Sequence, residues 1–350
     1  MFDVAIVGGG PAGSSCAAFC AAAGLRTLVL EREKFPREKV CGDCLNPACW
    51  PILRRLGVAE RVRSLPHGKL DRVEFIGIGG RCVTVELPMG DDAEIAVKRS
   101  LFDQLLLEHA RELGATAVEE ITVTALSAPD PRTDHWKISA GEKTFRARTL
   151  IAADGRNSTV ARLCGLRPRS AKERIALQTH WPLPPDFGDC VVLEFRPEGY
   201  SGQAPVGDSE LNICLVSVPA RIAPLRAWAE ECFQIPPDHS WRTITPLTRE
   251  PISPGQPGLF LVGDAARVVE PFTGEGIYYG LASGELAAKA IILQRDGGSA
   301  EDIAVAYSAA HAQLYQGRLW INRLARAAVL SPRIASAFLP VARFQPALLR

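Results

Sequence analysis

Three sets of residues have types and spacings that could do chemistry. The first is Gly8-Gly9-Gly10-Pro11-Ala12-Gly13, which fits G-x-G-x-x-G and is followed by Glu31. In such a loop the first glycine permits a tight turn. The second lets the backbone approach a pyrophosphate, and the third lets a helix pack closely on its strand. Pro11 suits a first helical turn, where its missing N–H costs nothing. The N–H groups beside it offer phosphates free donors and a partial positive charge. Glu31, with Arg32 beside it, stands near the ~20-residue offset of an acid that hydrogen-bonds a ribose 2′-hydroxyl and repels a 2′-phosphate. The pattern is that of a dinucleotide site and does not by itself separate FAD from NAD.

The second set is Asp154-Gly155 in "TLIAADGRNSTVARLCG". Alone it reads as a turn, and it precedes Ser158, a candidate helix cap. The third set lies in "GLFLVGDAARVVEPFTGEGIYYGLASGELAAKAI". Gly263 and Asp264 follow an apolar run, where a carboxylate could accept hydrogen bonds from a polyol. Pro271, Gly274 and Gly276 keep the next loop tight and poor in side chains, so a flat ring could approach the backbone. A helix starting near Gly276 would aim its positive end at that ring and stabilise negative charge on a reduced flavin.

The elements that must position these residues are legible as alternating patterns. Strand-like runs occur at 2–7, 27–31, 149–152 and 259–262, and helical patterns at 11–23, 100–113 and 276–294. Alternating strand-like runs at 72–87, 174–180, 190–195 and 212–218 lie between them. This order suggests one α/β unit made of discontinuous pieces and interrupted by a β-rich unit. At 350 residues the chain is long enough for about two domains, and its 47% hydrophobic and 23% charged residues are ordinary for a globular protein. A net charge of +1 provides no field to draw nucleic acid. No apolar run is long enough to span a bilayer, and the N-terminus enters a strand without a leader, so a cytoplasmic location is expected.

The ordered motifs resemble FAD-dependent oxidoreductases that include geranylgeranyl reductases, aromatic hydroxylases of the para-hydroxybenzoate hydroxylase type, and flavin halogenases. The matching pieces are the Gly8–Gly13 loop with Glu31, then "FPREKVCGD", "VKRSLFDQLL", Asp154-Gly155 and the Asp264 segment. They cover most of the chain to about Ala290. "FPREKVCGDCLNPA" and "PFTGEGIYYGLASGELAA" look most like the geranylgeranyl reductase branch. The resemblance implies that Cys41 and Gly42 lie along the flavin, that Arg99 contacts the cofactor, and that Asp264 binds the ribityl chain. Read without it, Arg99 is a solvated arginine at a helix start. There is one departure. Where the branch tends to carry G-Y-x-W-x-F-P-K-G, this chain has "GYSGQAPVG". Gly202, Ala204 and Val206 stand in place of the tryptophan, phenylalanine and lysine. This widens a pocket, removes a candidate anion contact, and speaks against a geranylgeranyl substrate.

Other features are less informative. Cys41-x-x-Cys44 is open to two readings, a redox dithiol or packed thiols near the ring. The ten cysteines and six histidines show no metal spacing, and none stands at an obvious flavin attachment position. His180 reads as a satisfied core or surface histidine. "GIGG" at 77–80 lacks a following helix and reads as a hairpin turn. From Ile303 onward there is no Asp or Glu, but there are six arginines (Arg318, Arg323, Arg326, Arg333, Arg343 and Arg350). They read as the solvated face of a packed helix or as a peripheral contact with anionic lipid.

The expectation is a glutathione-reductase-like Rossmann FAD domain formed by 1–70, 92–165 and 250–300. An antiparallel β-sheet substrate domain is inserted at 71–91 and 166–249, with a helical segment at 301–350. The protein is expected to be an oxidoreductase in which NAD(P)H or another donor reduces FAD transiently. The reduced flavin then acts on an apolar or carrier-bound substrate, with Tyr200 and Cys41 as candidate proton donors. A monooxygenase comes second. A halogenase comes third, because its W-x-W-x-I-P segment is absent. A flavin-binding partner without turnover remains a separate class.

Overall fold

In the computed structural model, which describes residues 1–130, 133–166, 174–247 and 249–316, the opening apolar run is a strand, Phe2–Val7, inside a largely parallel sheet. Thr27–Leu30 pairs on one side and Lys143–Ala152 on the other, so Val7 lies opposite both Leu30 and Ala152. Thr116–Val118 and Leu259–Leu261 extend the sheet outward, both parallel. Long helices cover one face, and the strands Val123–Ser127 and Trp136–Ala140 with the short helix Thr159–Leu163 cover the other, so these strands are apolar on both sides rather than alternating. Ile6, Leu28, Ile151 and Phe260 are completely buried. The strand expected at 149–152 begins earlier, at Lys143. Its first half, bearing Lys143 and Arg146, pairs with Trp136–Ala140 in an antiparallel extension. The apolar run marked only the half that is buried on both faces.

The helix Pro11–Ala22 packs along the helix Gly276–Arg295. Small residues are needed because the backbones nearly touch: a Cβ on Gly284 would lie 2.4 Å from the Ala12 carbonyl oxygen. The run of alanine, glycine and serine in both helices therefore serves close packing.

Among the described residues a second sheet has seven strands, in the order Arg242–Ile244, Ile175–Pro182, Glu210–Ser217, Gly199–Pro205, Cys190–Arg196, Arg72–Ile76 and Cys82–Glu86. The run at 72–87 divides into two antiparallel strands. Gly77–Gly80 makes the turn, and Gly79 and Gly80 have φ of +94° and +79°. Arg72–Ile76 pairs in parallel with Cys190–Arg196, so chain pieces far apart in sequence share one sheet. Leu211, Ile213 and Leu215 face the helix Ile222–Cys232, through Leu225 and Ala229. The intervening Asn212, Cys214 and Val216 point to the opposite face, as a two-residue period requires. A small third sheet joins Cys44–Leu45, Ile95–Val97 and His67–Lys69.

The described chain ends in a helix at Ala300–Leu314. The six C-terminal arginines, and the lipid contact expected of them, lie outside the described residues. Among the described residues no helix is long and apolar enough to cross a membrane.

Candidate functional site

A cavity of about 1620 Å³ runs from the loop after the first strand to the inner face of the seven-stranded sheet. Pockets for one drug-sized ligand are roughly 300–1,000 Å³, so this one has room for more than a single small molecule.

At one end lie Gly8, Gly10, Pro11 and Ala12. Gly8 has φ of +105°, and a Cβ there would sit 2.4 Å from the Ala153 carbonyl oxygen, so only glycine fits. Gly13 does not border the cavity. A Cβ on it would lie 1.9 Å from the Gly8 carbonyl oxygen, which makes it the glycine that seats the helix on the strand. Gly10 differs from both, with an ordinary φ of −73° and no side-chain cap on the helix it precedes. The nearest neighbour to a Cβ on Gly10 is an Arg37 nitrogen at 3.4 Å. The free N–H groups of this helix N-terminus therefore face open space, as an anion site needs. Glu31 follows the strand Thr27–Leu30, and its carboxylate accepts from the Gly9 N–H at 2.7 Å and the Glu33 N–H at 3.0 Å. That fixes the carboxylate at the cavity wall, next to the exposed Arg32.

Along the middle stand Cys41, Gly42, Arg99, Asp154, Gly155, Gly263 and Asp264. Arg99 is buried rather than solvated, because it starts the helix Arg99–Glu112 and pairs in two bonds of 2.7 Å with Asp103 one turn on. Burial opposes its charge, but Asp103 and the Cys41 thiol hold the guanidinium above its ordinary range. Burial also pushes the Cys41 thiol up, and Arg99 offsets this in part. Asp154 accepts from the Val160 N–H at 3.0 Å, and burial pushes its carboxyl up. Ser158 caps the short helix Thr159–Leu163 as expected, accepting from the Ala161 N–H. Asp264 pairs with Arg156 at 3.1 Å. Its loop is braced by Arg249, which donates to the Asp264 carbonyl, and by Ser283, which accepts from the Gly263 N–H at 2.8 Å. Pro271, Gly274 and Gly276 form the next edge, and Gly274 has φ of +66°.

Arg37, Lys39 and Arg156 border the same cavity but were not singled out individually in the sequence, although all three lie inside quoted motifs. Arg37 is held by Asp103 at 3.0 Å. Burial lowers Lys39 to about 8, with Arg99, Arg156 and Arg37 adding to the effect and Asp264 opposing it. Positive charge crowded this way is relieved by a bound anion. Together with the open glycine backbone and the Glu31 carboxylate, it suits a phosphate-linked dinucleotide.

At the far end the wall is apolar. Phe75, Phe195, Tyr200, Gly202, Ala204 and Val216 project from alternate positions of neighbouring strands. Phe272 reaches them from the Pro271–Thr273 turn, edge-on to Tyr200 at 5.5 Å. Tyr200 is buried, and that burial pushes its phenol far up, so it stays neutral. The loop carrying Cys41 is clamped to this sheet. Asn212 donates to the Cys41 carbonyl at 2.8 Å, and His180 Nε2 lies 2.7 Å from Asp43 Oδ2. Asp43 holds a left-handed φ of +60° there. His180 is thus a satisfied histidine that ties two segments together. Cys41 and Cys44 are both free thiols, and Cys44 donates to the Gly42 carbonyl at 3.4 Å. A second clamp is the buried pair Arg174–Glu270, with bonds of 2.9 and 2.6 Å, one residue before Pro271.

Comparison with known proteins agrees with this geometry. Residues 1–197 match the family described as FAD binding domain. The chain is 32% identical over 322 residues to a menaquinone reductase of Mycolicibacterium smegmatis, covering 82% of this chain and 75% of that one. It is 29% identical over 311 residues to digeranylgeranylglycerophospholipid reductase 1 of Methanothermobacter thermautotrophicus, covering 81% and 75%. The crystal structure of CmlS, a flavin-dependent halogenase, superposes with a TM-score of 0.77 at 26% identity. That match covers 89% of this chain and 62% of the longer CmlS chain.

Proposed function

Starting from a chain that belongs to the FAD binding domain family, we propose that this FAD-dependent oxidoreductase reduces a carbon–carbon double bond in an apolar or carrier-bound organic substrate. The observation that carries the reading is the continuity of one cavity from the Gly8–Gly10 loop to the apolar face bearing Tyr200 and Gly202. Cofactor and substrate can then meet without either leaving the protein. FAD bound in this cavity would supply two-electron redox chemistry.

In this reading the chain's own residues do four things. Glu31 holds the loop at Gly9 and receives the adenosine ribose. Gly10 and the helix N-terminus behind it receive the pyrophosphate, with Arg37, Lys39, Arg99 and Arg156 supplying counter-charge. Asp264 takes the ribityl hydroxyls, and the helix at Gly276 sets its positive end toward the ring. Phe75, Phe195, Phe272 and Tyr200 exclude water from the substrate, while Tyr200 and Cys41 are neutral proton donors at neutral pH. We also assign the seven-stranded sheet to substrate and the parallel sheet to cofactor. The names of the menaquinone and digeranylgeranylglycerophospholipid reductases support an apolar, unsaturated substrate.

A second reading, monooxygenation with O2 and a nicotinamide donor, draws support from the shared fold with a flavin-dependent halogenase. The test is to reduce the yellow protein without oxygen and add a menaquinone bearing an unsaturated isoprenoid tail. Mass spectrometry should show product heavier by two hydrogens in its tail. If the substrate changes only after oxygen is admitted and carries an oxygen atom from it, the monooxygenase reading replaces this one.

A further inference from the structure

One acid bordering the cavity has no place in the reading above. Glu94 stands just before the strand Ile95–Val97, which pairs with Cys44–Leu45 in the register Cys44 to Ala96 and Leu45 to Ile95. One step further, the same register sets Asn46 opposite Glu94, and both residues border the cavity. The preceding residue is fixed, because the buried Trp50 indole donates to the Ala93 carbonyl at 2.8 Å. Glu94 is therefore carried on a braced strand end, continuous with the Cys41–Cys44 loop. Its surroundings on the cavity wall include Leu87 and Ala204, which belong to an apolar cluster with Cys44.

Among the described residues no hydrogen bond or ion pair reaches the Glu94 carboxyl, and burial alone pushes it up to about 7. The ionisable groups it acts on are the thiols of Cys44 and Cys49, from the neighbouring strand and the short helix after it, which its charge pushes up. Burial holds both above their ordinary range, so both are neutral. Glu86 borders the same cavity from the edge strand. On Glu94's own loop, Asp92 is taken up by Arg54 and Arg63.

We propose that Glu94 in its neutral form is a hydrogen-bond donor to a carbonyl oxygen of the substrate, a polar recognition point on the wall it shares with Leu87 and Ala204. This rests on the apolar-substrate reading and narrows it to ligands that pair an apolar body with a carbonyl. Glu94 is half-buried, and a carboxyl that donates must be protonated, so affinity for such a ligand falls as pH rises through the carboxyl's titration. A ligand of the same shape without carbonyls has no such dependence.

The experiment titrates the oxidised, FAD-loaded full chain with menadione, and with methylnaphthalene as its carbonyl-free counterpart, by calorimetry. Wild type should bind menadione about ten-fold more weakly at about pH 8 than at about pH 6, the loss expected from one proton linked near neutrality. Methylnaphthalene binding should not change. Glu94→Gln keeps a donor and should bind menadione with no pH slope. Glu94→Ala should bind it about ten-fold more weakly at the lower pH, while methylnaphthalene binding and yellow colour show that the pocket is intact. Menadione affinity that is flat with pH in wild type and unchanged in Glu94→Ala overturns the assignment but leaves the apolar pocket standing. Failure of both probes to bind wild type at any pH overturns the apolar-substrate reading as well.

Discussion

The two ends of the cavity are built by different means. At the end proposed for the cofactor, charged side chains stand over a wall of bare backbone: Gly8, Gly263 and Gly274 hold left-handed φ values, and Gly10 leaves open the space that a side chain would fill. At the end proposed for the substrate the wall is side chain: Phe75, Phe195, Tyr200 and Phe272 pack over a sheet whose backbone would accept many other residues. Backbone surfaces leave little freedom to vary, so one loop serves one ligand. Side-chain surfaces can be re-cut position by position without disturbing the strands beneath. A fold of this kind can therefore keep FAD and change substrate.

The largest expected effect breaks the cofactor end alone. Gly10→Val places its side chain where the φ of −73° is ordinary and the nearest neighbour is 3.4 Å away, so the fold itself should accept it. The pyrophosphate should not. The variant should purify folded, with near-native circular dichroism, but colourless and unable to take up added FAD. Full yellow occupancy would refute the assignment of this loop.

A smaller effect is expected at the junction of the two ends. Arg174 and Glu270 are each only 2% exposed at the side chain, and they tie the seven-stranded sheet to the turn that carries Phe272. Removing one partner of a buried pair costs about 3–5 kcal/mol, because the other charge stays behind. Arg174→Met should lower Tm by about 5–10 °C. The double variant Arg174→Met with Glu270→Leu should recover much of that loss. If both variants melt like wild type, the pair does not join the regions.

The same contrast explains what could be read from the chain beforehand. The end proposed for the cofactor is built from three short stretches, each with a local pattern, and G-x-G-x-x-G, Asp154-Gly155 and Gly263-Asp264 all border the cavity or seat the helix beside it. The helix expected at 11–23 forms at Pro11–Ala22, and the one expected at 276–294 at Gly276–Arg295. The clamps could not be read that way. His180 meets Asp43, and Arg174 meets Glu270, only where segments from outside the second sheet pack against it, 137 and 96 residues away in sequence, and no local pattern encodes that meeting. Arg99 looked like a solvated helix start because its partner Asp103 gives a weak signal without knowledge of burial. Glu94 follows Asp91 and Asp92 in a charged turn, and nothing in its type separates the one acid on the cavity from the two on the surface.

The smallest effect on the fold should come from re-cutting the substrate wall, and it tests the comparison most directly. Gly202 lies between Tyr200 and Ala204 on the inner face, and its missing side chain leaves open cavity on that side. A Cβ there would meet only Leu193 Cδ2, at an ordinary 3.5 Å. Ala204 is a poorer site for insertion, because it is already packed against Leu70, Ala96 and Val206. Gly202→Trp should therefore fit with a stability change within about 1 kcal/mol and leave flavin content untouched, since no cofactor-end residue moves. It should fill part of the substrate volume, weakening a bulky isoprenoid ligand about ten-fold or more while sparing a small one such as methylnaphthalene. If the isoprenoid ligand binds as before, the space beside Gly202 is not where substrate lies. If instead the flavin is lost, the two ends share a wall, and their independence fails.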